Sequence, residues 1–95
     1  MTVIDEIRNR VAVLDPLSLE IEDDSALHAG HAGAKGGGHY RMTMVSDAFI
    51  GKNTVARHRL IYGALGELMR TRIHALAILA LTAEEAKTQP TRKEL

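Results

Sequence analysis

The 95-residue sequence contains no cysteine. That absence removes disulfides, thiol nucleophiles and thiolate metal ligands together. A metal held by this chain would rest on His, Asp or Glu. Aromatic residues are almost as scarce, at one Phe, two Tyr and no Trp, so platforms for stacking nucleic-acid bases are poorly supplied. Neither sign of charge is in excess, with 12 Lys+Arg against 12 Asp+Glu. A chain that grips phosphates by charge alone shows a basic surplus, although a local patch is compatible with overall balance. No apolar run approaches the roughly 20 residues that span a bilayer. The start, Met1-Thr2-Val3-Ile4-Asp5-Glu6, turns acidic early and has no signal-peptide core. The expected setting is cytoplasmic, without a membrane partner.

What is present suits one small globular domain. The apolar fraction is 45% and the charged fraction 25%, near globular averages, and a chain of this length supports a single compact core. Thr2 and Asp5 have the spacing of a capping box. Ile4, Ile7, Val11 and Leu14 then recur at helical intervals, predicting a helix over Val3–Val13 that Asp15-Pro16 stops. Leu17, Leu19 and Ile21 alternate with Ser18, Glu20 and Glu22, the pattern of a half-buried strand. A loop over Ala26–Gly38 holds five of the eight glycines and both His28 and His31; its length marks it as functional or mobile. His39–Val45 reads as a second strand, antiparallel to the first, with Tyr40, Met42 and Met44 on one face.

Asn53 or Thr54 can cap a second helix that runs to about Met69, with Val55, Ile61, Tyr62, Leu65, Leu68 and Met69 on its apolar side. Ile73–Leu81 is nearly all apolar and is assigned to a strand paired on both sides. Thr82-Ala83-Glu84-Glu85 opens a capped final helix. The order is α-β-β-α-β-α: an α+β sandwich, with a three-stranded mixed sheet and helices on one face. A domain over residues 1–87 and a polar tail over 88–95 are expected.

Five histidines without a cysteine are the most unusual feature. His28 and His31 in a flexible loop could reach a metal or a partner, yet His-x-x-His in a loop is also compatible with simple solvation. His58, between Arg57 and Arg59, falls near Tyr62 on the apolar side and reads as a core-edge residue. His39 should face outward. His74 heads an apolar strand, where a structural hydrogen bond and an exposed ligand role are equally compatible with the pattern. No nucleophile elbow or paired carboxylates suit catalysis, so the chain is not expected to be an enzyme. The turn Ile50-Gly51-Lys52-Asn53 is similar to the Gly-x-x-Gly loop of KH domains, with Thr54 where the second glycine would stand.

Ser46-Asp47-Ala48-Phe49-Ile50-Gly51-Lys52, then Val55-Ala56-Arg57-His58-Arg59-Leu60-Ile61-Tyr62, resembles the signature of the BolA family. Ile73-His74-Ala75-Leu76-Ala77-Ile78 followed by Thr82-Ala83-Glu84-Glu85 does so too, and Asp23-Asp24-Ser25, His28 and His39-Tyr40-Arg41-Met42 match its strand–loop–strand. The likeness covers roughly residues 2–87. It implies a class II KH-like fold with a disabled glycine loop. It also implies a monothiol glutaredoxin as partner and a [2Fe–2S] cluster shared with that partner and glutathione, with no cofactor when the chain is alone. By resemblance the strand-head ligand maps to His74 and the loop ligand to His28, with His31 as the alternative. Histidine on one iron and thiolates on the other would be a Rieske-like distribution. The implied role is cluster trafficking or iron homeostasis. The alternative carried by the family is a DNA-binding transcriptional regulator using Lys52, Arg57 and Arg59, with Arg70 and Arg72 nearby. Alone, the chain is expected as a monomer or weak dimer.

Overall fold

The computed structural model describes residues 2–24 and 38–88. The first helix, α1 (Val3–Val11), starts where the sequence places it. The Thr2 hydroxyl accepts from the Asp5 backbone N–H at 3.1 Å, and the Asp5 carboxylate accepts from the Thr2 N–H at 3.2 Å. These two bonds satisfy donors that a helix start leaves unpaired. The α-helical part ends at Val11, two residues short of expectation, and a 3-10 turn (Ala12–Leu14) finishes the segment. Asp15 then turns left-handed at φ 52°, a conformation Asp tolerates better than most residues.

β1 (Ser18–Asp23) and β2 (Gly38–Val45) pair antiparallel, from Ser18 opposite Val45 to Asp23 opposite Tyr40. Gly38, expected in the loop, is the first residue of β2. Burial follows the period of two: Tyr40, Met42 and Met44 are buried and Arg41 is exposed. Ser46 ends β2 inside the core, where its hydroxyl donates to the Leu14 carbonyl at 2.6 Å and accepts from the Ala48 N–H at 3.1 Å. That pair of bonds ties the end of β2 to the segment after α1, and it satisfies a polar group that would otherwise be costly to bury.

After a 3-10 turn (Asp47–Phe49), α2 (Thr54–Leu65) is capped by Asn53, whose carboxamide oxygen accepts from the Ala56 N–H at 2.9 Å. The helix does not continue to Met69. Gly66 takes φ 55° and ψ −126°, a conformation open to glycine and strained for other residues, and donates its N–H back to the Tyr62 carbonyl. A one-turn α3 (Leu68–Thr71) follows. The expected apolar side of α2 is also narrower than the wheel suggested. Ile61, Leu65 and Leu68 are buried, whereas Val55 and Tyr62 are exposed at 58% and 41%. α1 and the sheet meet only one side of the helix, so Val55 and Tyr62, though apolar, lie beyond the contact.

β3 (Ile73–Leu81) pairs parallel to β2, and the sheet order is β1-β2-β3. The expectation that β3 is paired on both sides is therefore wrong: among the described residues it is an edge strand. Its continuous apolar sequence has another cause. Ile73 and Ala80 are buried with Leu76 and Ile78 packed against the core, while Ala75, Ala77 and Leu79 occupy the opposite, open face. Short alanines tolerate that exposure. α4 (Ala83–Thr88) closes the chain's described part. The three-stranded mixed sheet with helices over one face is the α+β architecture anticipated. The loop region at 25–37 and the tail at 89–95 lie outside the described residues.

The core joins Ile7 and Val11 of α1, Met42 and Met44 of β2, Phe49, and Ile61 and Leu65 of α2, all fully buried. Ile61→Asp should leave no cooperative thermal transition by far-ultraviolet circular dichroism, since a lone carboxylate there has no partner. Val55→Asp, one face away, should stay within about 0.5 kcal/mol of the parent. A folded Ile61→Asp protein would show that this side of α2 is not the core side.

Candidate functional site

Two polar constellations flank the sheet. The first stands at its head. The parallel register runs Gly38 opposite Ile73 and then His39 opposite Ala75, so His74 is the extra residue of a β-bulge. Bulges redirect side chains and gather near functional sites. Here the bulge leaves His74 exposed and brings its ring to a centroid distance of 5.1 Å from the His39 ring, with the planes tilted 44°. The backbone beneath is held firmly. The Asp24 N–H donates to the His39 carbonyl at 2.7 Å, and the Gly38 N–H donates to the Arg72 carbonyl at 3.3 Å. Arg72 itself pairs with Glu6 of α1 at 2.9 Å, and Arg41 pairs with Asp24 at 2.8 Å.

Gly38 matters for packing at this point. A Cβ there would fall 2.5 Å from the Tyr40 hydroxyl oxygen and 2.6 Å from its ring, so only glycine lets the Tyr40 ring lie across the start of β2. Burial, with Asp23 as a second cause, pushes the Tyr40 phenol above its ordinary pKa.

The second constellation lies where α2, β3 and α4 meet, around a pocket of about 400 Å³ lined by Thr54, Arg57, His58, Leu79 and Glu85 among others. Arg57 is its centre. Its Nε donates to the Lys52 carbonyl at 2.8 Å, and Nη1 donates to the Ala80 carbonyl at 3.0 Å. Both terminal nitrogens also reach the Glu85 carboxylate, at 2.6 and 3.1 Å. Such fork-to-fork pairs are among the stronger charge-assisted bonds. Glu85 also accepts from the Thr82 N–H at 2.9 Å while the Thr82 hydroxyl accepts from the Glu85 N–H at 3.2 Å. This is a capping box for α4. Arg57 first, and the Thr82 amide second, lower the Glu85 carboxyl from 4.5 to about 2.

The residues singled out from the sequence are thus dispersed. His74 is exposed at the sheet head. His28 and His31 lie outside the described residues. Lys52 and Arg59 are exposed, but Arg57 is turned inward and neutralised by Glu85, so the three do not form one basic surface. Arg70 approaches Glu67 at 3.8 Å, and Arg72 is engaged by Glu6. His58 is half-buried and meets the exposed Tyr62 ring edge-on at 6.4 Å. Sequence reasoning missed His39 as the neighbour of His74 and Glu85 as the partner of Arg57. The Thr82-x-x-Glu85 spacing signalled the cap, but nothing local signalled Arg57.

Residues 11–85 match the family described as BolA-like protein. The chain belongs to the BolA family. It is 47% identical over 78 residues to SufE-like protein 1, chloroplastic/mitochondrial, of Arabidopsis thaliana, covering 76% of this chain and only 21% of that protein. It is 38% identical over 84 residues to the DNA-binding transcriptional regulator BolA of Escherichia coli (strain K12), covering 83% of this chain and 78% of that one. The solved BolA domain of SufE1 from Arabidopsis thaliana superposes with a TM-score of 0.73 at 46% identity, covering 85% of this chain and 92% of that domain. BolA relatives therefore carry both bacterial and organellar names. No helix among the described residues is long and apolar enough to cross a membrane.

The Arg57–Glu85 pair gives a pH signature for this BolA domain. A carboxylate whose folded pKa is depressed stabilises the fold above its unfolded pKa and loses that contribution as pH falls towards the folded value. Glu85→Gln should thus lower the melting temperature most at pH 6–7. The gap to the parent should shrink below pH 4.5 and close towards pH 2, tracking the shift from 4.5 to about 2. A gap independent of pH would mean that the pair contributes packing and no charge.

Proposed function

We propose that this BolA-family chain is a non-enzymatic accessory protein that binds a monothiol glutaredoxin and co-ligates a [2Fe–2S] cluster, in cluster trafficking or iron homeostasis. The observation that carries the reading is His74: an exposed imidazole, presented on a bulge at the rigid head of the sheet. A chain with no cysteine can offer a cluster only imidazole or carboxylate donors, so the thiolates must come from the partner and from glutathione. Imidazole ligation of one iron raises the potential of such a cluster relative to an all-thiolate one. His74 would supply the fixed ligand, and His28, with His31 as the alternative, the second. Histidine releases a metal readily on protonation, which suits transfer of cargo better than its storage.

The test is visible circular dichroism of the chain mixed with a monothiol glutaredoxin, iron, sulfide and glutathione. A spectrum that needs both proteins and disappears with His74→Ala is the expected result. His28→Ala should weaken it more than His31→Ala. A spectrum identical to that of glutaredoxin alone would end the shared-cluster reading.

A second reading, DNA-binding transcriptional regulation, is favoured by the name of the Escherichia coli relative. Arg57 is already committed to Glu85 and to two backbone carbonyls, so phosphate contact would fall mainly to Lys52 and Arg59. Arg59→Ala should then weaken duplex binding uniformly across sequences and lower the salt slope by about 1. A mobility shift of duplex DNA that ignores both salt and Arg59 would remove this reading.

A further inference from the structure

The sheet has two outer edges, and they differ in charge. β1 carries Glu20, Glu22 and Asp23, whereas β3 has no Asp, Glu, Lys, Arg or Pro in nine residues. Charge and proline are the usual guards against edge-to-edge pairing. We propose that the outer edge of β3 binds the same edge of a second copy of this chain. The two strands run antiparallel about a two-fold axis at Ala77, joining two three-stranded sheets into one.

Strand alternation identifies the backbone groups on that edge. The Leu81 carbonyl turns to the end of β2, where it accepts from the Ser46 N–H at 3.0 Å. Successive residues of a paired strand turn their backbone groups to opposite sides. Leu79 and Ala77 therefore bond to β2, while Ala80, Ile78 and Leu76 direct N–H and C=O outward. Arg57 fits this assignment, since its Nη1 reaches the Ala80 carbonyl from outside at 3.0 Å. Among the described residues, the outward groups of Leu76 and Ile78 have no partner. Two features then fix the register. Arg57 occupies the Ala80 acceptor, and the bulge at His74 interrupts the ladder. Pairing centred on Ile78 would need the Ala80 carbonyl, and pairing centred on Leu76 would need His74. Centring on Ala77 sets Leu76 of one copy opposite Ile78 of the other, and these two residues exchange bonds through groups that are all available.

Side chains and charge agree with self-pairing in this direction. At the axis Ala77 meets Ala77 on the open face, where small side chains let the strands approach. Beside it Ala75 meets Leu79, which is 45% exposed in the single chain. On the helix side Leu76 and Ile78, each half-buried, cover one another. The entry to β3 carries Arg70, Arg72 and His74, and its exit carries Glu84 and Glu85. Antiparallel pairing brings the basic entry of one copy towards the acidic exit of the other, whereas parallel pairing would set like beside like. With 12 Lys+Arg and 12 Asp+Glu, no net charge drives two copies apart. The contact is narrow, so the association is weak and concentration-dependent.

The experiment is sedimentation velocity of the chain alone, at rising concentration into the millimolar range, with a chelator present so that no metal bridges two copies. Amide hydrogen exchange is followed alongside. The expected result is a monomer–dimer equilibrium in which the Leu76 and Ile78 amides gain protection as the dimer forms. Ala77→Lys and Ala77→Glu are the deciding variants. Ala77 is exposed, so each should melt like the parent. Each sets like charges opposite one another at the axis and should weaken the dimer roughly fivefold or more. Mixing the two variants should restore association as a heterodimer. Glu20→Gln, on β1, should leave the equilibrium unchanged. A monomer at every concentration would leave the edge to a strand of another protein and overturn the proposal. A dimer indifferent to Ala77→Lys, or a mixture no tighter than either variant alone, would overturn it too. Neither glutaredoxin nor DNA is present, so this outcome is independent of both functional readings.

Discussion

Everything of functional interest here depends on the parallel pairing of β2 with β3. β2 is bonded on both sides and buries Tyr40, Met42 and Met44 beneath the helices. Its pairing with β3 sets the far end of the chain beside residues some 35 positions earlier. A uniform ladder would leave His74 as one strand residue among others. The single irregularity between Gly38 and His39 re-aims it towards the His39 ring. Parallel strands need a long crossover, and here α2 and α3 provide it while supplying the core residues Ile61, Leu65 and Leu68.

At the opposite end of β3, Arg57 plays the complementary part. One guanidinium joins the turn before α2 through Lys52, the edge of β3 through Ala80, and α4 through Glu85. α4 has no fully buried residue of its own, and this contact ties it to α2 and β3. The charge used in that way is not available to a ligand. A cluster of basic residues close in sequence therefore becomes, in three dimensions, one structural arginine and separate exposed cations at Lys52 and Arg59.

Local elements were legible because their causes are local. The Thr2–Asp5 box, the alternation in β1 and β2, the span of β3 and the Thr82 cap all come from residues within a few positions of each other. Misreadings arose where a neighbour distant in sequence decides the outcome. Val55 and Tyr62 look like core residues until the width of the α2 contact is known. β3 looks doubly paired until the sheet order, among the described residues, leaves it at the edge beside β2 alone. The length of α2 differs from expectation for a nearer reason, since Gly66 takes a positive φ that only glycine adopts readily and ends the helix there.

The sequence by itself determined the order of elements, the lack of thiolate chemistry, the histidine-rich donor set and, through its motifs, the BolA family. Hydrophobic period, capping spacing and composition are properties of short stretches, so they survive without coordinates. Only the tertiary structure decided that His74 faces His39 and that Arg57 faces Glu85. Each of those pairs is created by strand register and helix packing, which bring together side chains that share no local pattern.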